Sequence, residues 1–418
     1  MSATLTDPPA PAVLAHSEPT TESAHAEPEP DSPLARLAPE QLEQLGRELD
    51  ALHDEVFADL GEGDARYIRN TIRLHRQLVL AARLLLLGSR RRPLWLLGTA
   101  SLSLAKILEN MEIGHNVMHG QWDWMNDPDI NSQSWDWDTA SPADAWRHSH
   151  NYEHHTFTNI RGKDRDLGYE IMRIDPHQKW HPIYLLQPLY NLVLMGFFEW
   201  GVALHDLNFE ALRSGEKPKG QVVAELKAIG VKARRQLVKD YLAFPALSAA
   251  LDAAFAGRNG ASGRAAGTVR RDAARRTLKA TLAADFTANI VRNVWAHSII
   301  FCGHFPDQTY TFSEDEVAQE TRGGWYVRQL LGSANIEGSA PFHFLAGNLS
   351  FQVEHHLFPD MPSSRYAQVA PRVREICSRY GLPYNTGPLR TQLGSVHRTI
   401  LRLALPGGRS RHEPAPIA

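Results

Sequence analysis

The chain has 418 residues, 43% of them hydrophobic and 22% charged, with a formal net charge of -3; this allows a sizeable core in one large domain or two smaller ones and gives no general pull toward nucleic acid. Two cysteines, Cys302 and Cys377, exclude a disulfide framework and a four-cysteine metal site, and they suit a reducing cytoplasm. Twenty histidines is an unusual number for this length, and their placement carries the information.

Residues 1–35 are rich in Pro, Ala, Glu, Ser and Thr and nearly devoid of bulky apolar side chains, so a disordered tail is expected there. Residues 406–418 read as a flexible C-terminal tail, leaving one continuous domain over 36–405. No basic stretch followed by an apolar one opens the chain, so no cleavable signal is expected. Five stretches are candidate membrane segments. Residues 78–87 are apolar but short and hold Arg83; 93–105 continue helically through Lys106 and Glu109 toward His115. Residues 181–198 lack Asp, Glu, Lys and Arg, 241–256 carry only Asp252, and 278–305 carry Lys279, Asp285 and Arg292. None is a run of about 20 purely apolar residues, and the mean hydropathy of -0.34 is low for a polytopic protein. A soluble core helix is the plainer reading of each stretch alone; the histidines at their edges reverse that preference for the set.

Three histidine clusters follow. Gly114-His115-Asn116-Val117-Met118-His119 places His115 and His119 at i and i+4, one turn apart on one helix face. His150-Asn151-Tyr152-Glu153-His154-His155 repeats the spacing and adds His155, roughly 100° around the helix, where it can reach toward a second metal. Gln352-Val353-Glu354-His355-His356 puts Gln352, His355 and His356 at i, i+3 and i+4. Either His297 or His304, near the end of the last apolar stretch, can add one more. Imidazoles capping helix ends or facing solvent explain one such cluster, but not three at the edges of apolar segments. Seven histidines in helical register are too many for one metal and suit two. Neutral imidazole serves iron, zinc or copper, so ligand type leaves the metal open. The carboxylate di-iron bundle type is disfavoured, because Glu112-x-x-His115 is the sole Glu-x-x-His motif in the folded region.

The motifs GHNVMH, HNYEHH and QVEHH, with WRHSHNYEHHTFTNIRGKDRDLGY and GNLSFQVEHHLFPDMPSSRY around them, closely resemble the membrane fatty acid desaturase family over roughly residues 65 to 385. QVEHH resembles the linoleoyl-CoA and front-end subgroup, and RNVWAHSIIFCGHFPD is most similar to actinobacterial acyl-CoA desaturases. The resemblance implies an all-α fold, polytopic membrane helices with a cytoplasmic helical cap holding a histidine-rich di-iron site. It implies two Fe ions on His115, His119, His150, His154, His155, His355 and His356. His304 is preferred over His297 as the eighth ligand, and Gln352 is a weak or water-mediated one. His148 is off register and left out; Asn151, Asp164 and Asp166 are candidate partners of the imidazoles. The implied partners are a long-chain acyl-CoA, O2, membrane lipid and a separate electron donor, an NADPH-dependent reductase or a ferredoxin, since no His-Pro-Gly-Gly haem motif is present. The implied location is the inner membrane, multi-pass, with the site on the cytoplasmic side. Δ9 stearoyl-CoA and Δ6 linoleoyl-CoA types both remain open, as do a hydroxylase on the same site and a zinc-binding membrane protein.

If all boxes meet at one site, two membrane crossings lie between His155 and His304. Either 181–204 and 278–305 form that pair, or 241–256 replaces the former, which then lies in the interface. Arg90-Arg91-Arg92 would face outward, against the usual cytoplasmic enrichment of basic residues.

Overall fold

Helices dominate the structure, a computed structural model that describes residues 36–256 and 263–407. The tails expected at 1–35 and, from residue 408, at the C-terminus lie outside the described residues. In chain order the principal helices are α1 (Pro39–Ala58), α2 (Glu62–Leu87), α3 (Arg92–Leu108), α4 (Ala143–Trp146), α5 (Gln187–Gly196), α6 (Phe198–His205), α7 (Lys219–Leu237), α8 (Phe244–Ala256), α9 (Gly263–His304), α10 (Arg322–Leu331), α11 (Gln352–Leu357), α12 (Tyr366–Arg379) and α13 (Leu389–Leu403). Three continue without a break through π-helical segments. α3 runs through Glu109–His115 to Asn116–Met118, α4 through Arg147–His154 to His155–Phe157, and α7 through Val238–Ala243 into α8.

α2, α3, α8 and α9 form an elongated bundle. Small residues set its spacing: Ala82, Ala284 and Ala288 pack with Leu86 and Leu102. Several of the charges that spoil the hydropathy of these helices point inward and pair there. Arg83 meets the fully buried Asp285 at 2.6 Å, Lys106 meets the fully buried Asp240 at 2.8 Å, and Arg292 meets Glu199. The outward positions are instead Leu80, Leu84, Leu96, Leu97, Leu242, Leu247, Phe286 and Val291. α5 is similarly inverted: Gln187 and Asn191 are buried, whereas Leu189, Leu192 and Val193 are exposed. Among the described residues no helix is long and apolar enough to cross a membrane.

The cap is built from α1 and α10–α12. α1 has Pro in its first turn and repeats apolar side chains at Leu45, Leu49, Leu52 and Val56, all buried. Burying each is worth about 1.5–3 kcal/mol. The stripe packs on Tyr326, Val327, Val369 and Val373. α1 and α10 cross closely enough that a Cβ on Gly323 would lie 1.9 Å from the Leu42 carbonyl oxygen, so only glycine fits. Two short parallel strands, β1 (Asn335–Glu337) and β2 (Thr386–Pro388), tie the segment before α11 to the start of α13.

Candidate metal centre

The top of the bundle and the underside of the cap enclose the histidines. The first two boxes run out of the π-helical segments: His115 closes the first, with His119 one turn beyond it, and His150 and His154 lie on the second, with His155 opening the α-helical turn that follows. Bonding from i to i+5 widens the turn, so residues four and five apart straddle one side, and such bulges recur at functional sites. On the second segment and the turn that continues it, this brings His150, His154 and His155 to the same interior. The third box occupies α11, which Asn335 anchors: its Oδ1 accepts from the Val353 N–H at 2.8 Å, and its Nδ2 donates to the buried Glu354 at 2.8 Å.

Two groups result. One ring nitrogen from each of His115, His119, His150 and His355 lies within 4.8 Å of the others, and the same holds for His154, His304 and His356. His155 sits between them, stacked on His356 at 4.5 Å and edge-on to His119 at 4.7 Å. All eight histidines thus come together. Gln352 sits against His304, its amide nitrogen 3.0 Å from His304 Nε2, and its Oε1 is buried without a hydrogen-bond partner. His297 goes elsewhere: it bonds Asn191 at 3.0 Å and stacks on Phe301 at 3.7 Å. His148 is exposed and pairs with Glu153.

The groups fit a metal pair on three counts. His119, His150, His154, His155, His304 and His356 each keep a buried ring nitrogen with no hydrogen-bond partner, an arrangement costly unless something binds there. His115 and His355 point their Nε2 atoms at each other across 3.4 Å. Burial pushes His115, His119, His155, His355 and His356 well below the usual imidazole range, which holds them in the neutral, ligating form.

Outer partners fix the rings. His154 Nδ1 lies 3.0 Å from Asp164, and His150 Nδ1 lies 3.1 Å from Asp166. Burial alone would lower His154, but Asp164 overrides it and the net shift is upward. Asn151 donates to the Met118 carbonyl at 2.8 Å, clasping the second box to the first. Three partners are invisible in the sequence: Gln329 Oε1 is 2.9 Å from His356 Nδ1, the Tyr366 hydroxyl is 3.1 Å from His355 Nδ1, and His205 Nε2 is 3.0 Å from Asp166. Glu112, the carboxylate of the single Glu-x-x-His motif, turns away to accept from Tyr67 and Ser363, each at 2.8 Å, and Asn348 at 3.0 Å. Burial raises it to about 7.

Residues 93–388 match the family model described as fatty acid desaturase. The chain belongs to the fatty acid desaturase family. As such it is an oxidoreductase, and the hydroxylase and zinc-protein readings are not favoured. The desaturase is 44% identical over 373 residues to the NADPH-dependent stearoyl-CoA 9-desaturase of Mycobacterium tuberculosis, covering 89% of this chain and 82% of that one. It is 24% identical over 318 residues to the sn-1 linoleoyl-lipid 6-desaturase of Synechocystis, covering 74% and 80%. Human fatty acid desaturase 3 shares 39% identity over 85 residues, 20% of this chain and 19% of that one. No solved structure matches the chain.

Beside His115 and His150 the desaturase has a mainly apolar cavity, walled by Met111, Trp146, Phe198, Val202, Ala296 and Ile300.

Proposed function

We propose that the chain is an O2-dependent acyl-CoA desaturase of the stearoyl-CoA 9 type, working through two irons. The convergence of eight histidines from four separate stretches, with buried ring nitrogens left to bind, carries the reading. The 44% identity to a stearoyl-CoA 9-desaturase, against 24% to a 6-desaturase, favours the Δ9 position. His115, His119, His150 and His355 would hold one iron, and His154, His304 and His356 the other, with His155 between them and Gln352 steadying His304. When bound, the metal pair supplies the oxygen chemistry that removes hydrogen from two adjacent methylenes, which side-chain acids and bases cannot do. The balance is one saturated chain, O2, two electrons and two protons going to one alkene and two waters. Trp146, Phe198, Val202 and Ile300 would hold the chain against His115 and His150 and keep water out, while Asp164, Asp166, Gln329 and Tyr366 keep the rings aimed. The electrons come from a separate NADPH-dependent reductase or ferredoxin.

The same reading places the protein in the inner membrane with the metals at the cytoplasmic rim. The outward apolar positions of α2, α3, α8 and α9 support it, as does the inward pairing of Arg83, Lys106, Asp240, Asp285 and Arg292. Ionisable groups in a membrane bundle face one another rather than lipid, and an average over a whole helix does not register that direction. α8 and α9 then form the descending and returning pair, and α5, with its leucines outward, lies in the interface.

Expression in a desaturase-deficient host, with double-bond mapping and iron analysis, tests both parts. A 9-alkene and near two irons per chain are expected, with His304→Ala losing iron and His297→Ala keeping it. Hydroxy acid without alkene, or zinc in place of iron, would overturn the reading.

A further inference from the structure

The turn Arg90-Arg91-Arg92 lies at the end of the bundle away from the histidines, near Thr277 and Ala280 of α9. Arg90 pairs with Asp252 at 3.0 Å, the Thr277 hydroxyl donates to Asp252 at 2.6 Å, and Trp95 Nε1 donates to the Ala280 carbonyl at 2.8 Å. All three arginines of the turn are exposed. So are Arg270, Arg271, Arg275, Arg276 and Lys279 on α9, and of these Arg271, Arg275 and Lys279 recur at i, i+4 and i+8 along one face. Across 88–108 and 241–284 the sequence offers only two acids, Asp252 and Asp272, and Asp252 is already engaged. Exposed apolar side chains lie close by in sequence: Leu84, Leu96 and Leu97 on either side of the arginine turn, and Phe255 three residues after Asp252.

Spacing gives this band a meaning. α9 is continuous from Gly263 to His304, so at 1.5 Å per residue Lys279 lies about 38 Å, and Arg271 about 50 Å, along the axis from His304. A bilayer spans about 30 Å of hydrocarbon and about 40–45 Å with its headgroups. With the histidines at one rim, Lys279 and Arg275, the latter at about 44 Å, fall in the headgroup layer of the other and Arg271 just beyond it, and the outer face of α9 between Lys279 and His304 carries no exposed charge.

We infer that this arginine-rich end is a docking surface for anionic phospholipid headgroups in the leaflet away from the metal centre. The inference rests on the membrane reading and adds to it a charge preference. It also accounts for the basic turn that the positive-inside tendency does not.

The full chain, reconstituted in vesicles of equimolar phosphatidylglycerol and phosphatidylcholine and then re-extracted, is weighed by native mass spectrometry to count retained lipids. Each cation near an anionic surface favours binding by about fivefold, so phosphatidylglycerol is expected to exceed phosphatidylcholine at least about tenfold on the wild-type protein. That excess should disappear in the triple variant Arg271→Gln, Arg275→Gln, Lys279→Gln, whose exposed positions leave the fold and the melting temperature unchanged. Equal retention of the two lipids by the wild-type protein overturns the proposal, and so does an excess that survives in the variant. Retention of a short DNA duplex as strong as that of phosphatidylglycerol overturns it too, by showing a surface for any polyanion. Failure to enter either lipid sinks the membrane reading and this proposal together, whereas equal retention sinks this proposal alone.

Discussion

Asp164→Asn changes one charge and almost no volume in a fully buried position, so its effect follows from hydrogen bonding. The two carboxylate oxygens receive three donors: His154 Nδ1 at 3.0 and 3.1 Å, the Asn159 N–H at 2.7 Å and the Asp166 N–H at 3.0 Å. An asparagine has one acceptor oxygen, and in either orientation its amide group faces a backbone N–H. The mismatch costs about 1–3 kcal/mol of stability, the price of one unsatisfied buried donor. His154 also loses the anion that makes it a stronger ligand, a change that typically weakens metal binding about 10- to 100-fold. Titrating the apoprotein with ferrous iron under anaerobic conditions measures this directly. Asp175→Asn is the matched control, because Asp175 is equally buried but serves His177 and Thr311, away from the cluster. Wild-type iron affinity in Asp164→Asn would refute the reasoning, and equal losses in both variants would reduce it to a general loss of stability.

Gly303→Ala would set a Cβ 2.7 Å from Gln352 Cγ; the crowding should cost about 1–3 kcal/mol and lower metal content through His304, so a variant with wild-type melting temperature and metal load would contradict it. Ala296→Phe fills the wall of the cavity beside His115 and should cut stearoyl-CoA turnover about 100-fold by misplacing the chain, with iron content unchanged; gas chromatography of the products checks the first and metal analysis the second. Burial alone would raise Asp64, but Arg365, bonded to both its oxygens at 2.7 Å, reverses this and holds it below the usual carboxylate value. Because the folded value lies below the unfolded one of about 3.9, the pair's contribution is fully present above that pH and is lost progressively as pH falls from there through the lower folded value. Arg365→Gln should therefore destabilise by about 1–3 kcal/mol at pH 7, with the gap to wild type narrowing as pH is lowered below about 3.9, as read by denaturant melts across that range; a gap that stays constant would contradict it.

How much of this was legible in the sequence depends on whether a feature is local. The i, i+4 pairs His115/His119 and His150/His154 follow from helix geometry and can be read directly. The π-helical segments cannot, because nothing in Glu109–His115 or Arg147–His154 announces an i to i+5 bond. Helix register alone does not separate His297 from His304, although the resemblance favours His304: seven residues apart, they lie on nearly the same face of α9, two turns from each other. Only the fold shows that Asn191 and Phe301 engage the first while the second reaches His154 and His356. Gln329 and Tyr366 come from distant elements and stand in no motif. The bundle was hard to read because Arg83, Lys106, Asp240 and Asp285 depress a hydropathy average without facing outward.

Glu112 shows why imidazoles fill this site. It stands one helical turn before His115, the position from which a carboxylate bundle would supply a ligand, yet Tyr67, Ser363 and Asn348 bind it on the far side. An all-histidine set is neutral, so the positive charge of the two proposed metals would have to be balanced from outside it. The balance is lopsided: Asp164 and Asp166 stand behind the second box, whereas the neutral Tyr366 and Gln329 stand behind the third. Burial would raise Asp166, but its contacts with His150 and His205 hold it well below the usual carboxylate range, so it remains an anion beside the rings. His150 and His154 are therefore the most basic ligands of their groups, and one belongs to each. On the proposed assignment the second box would thus supply each metal with its anion-backed imidazole, while the first and third would supply imidazoles backed by neutral groups.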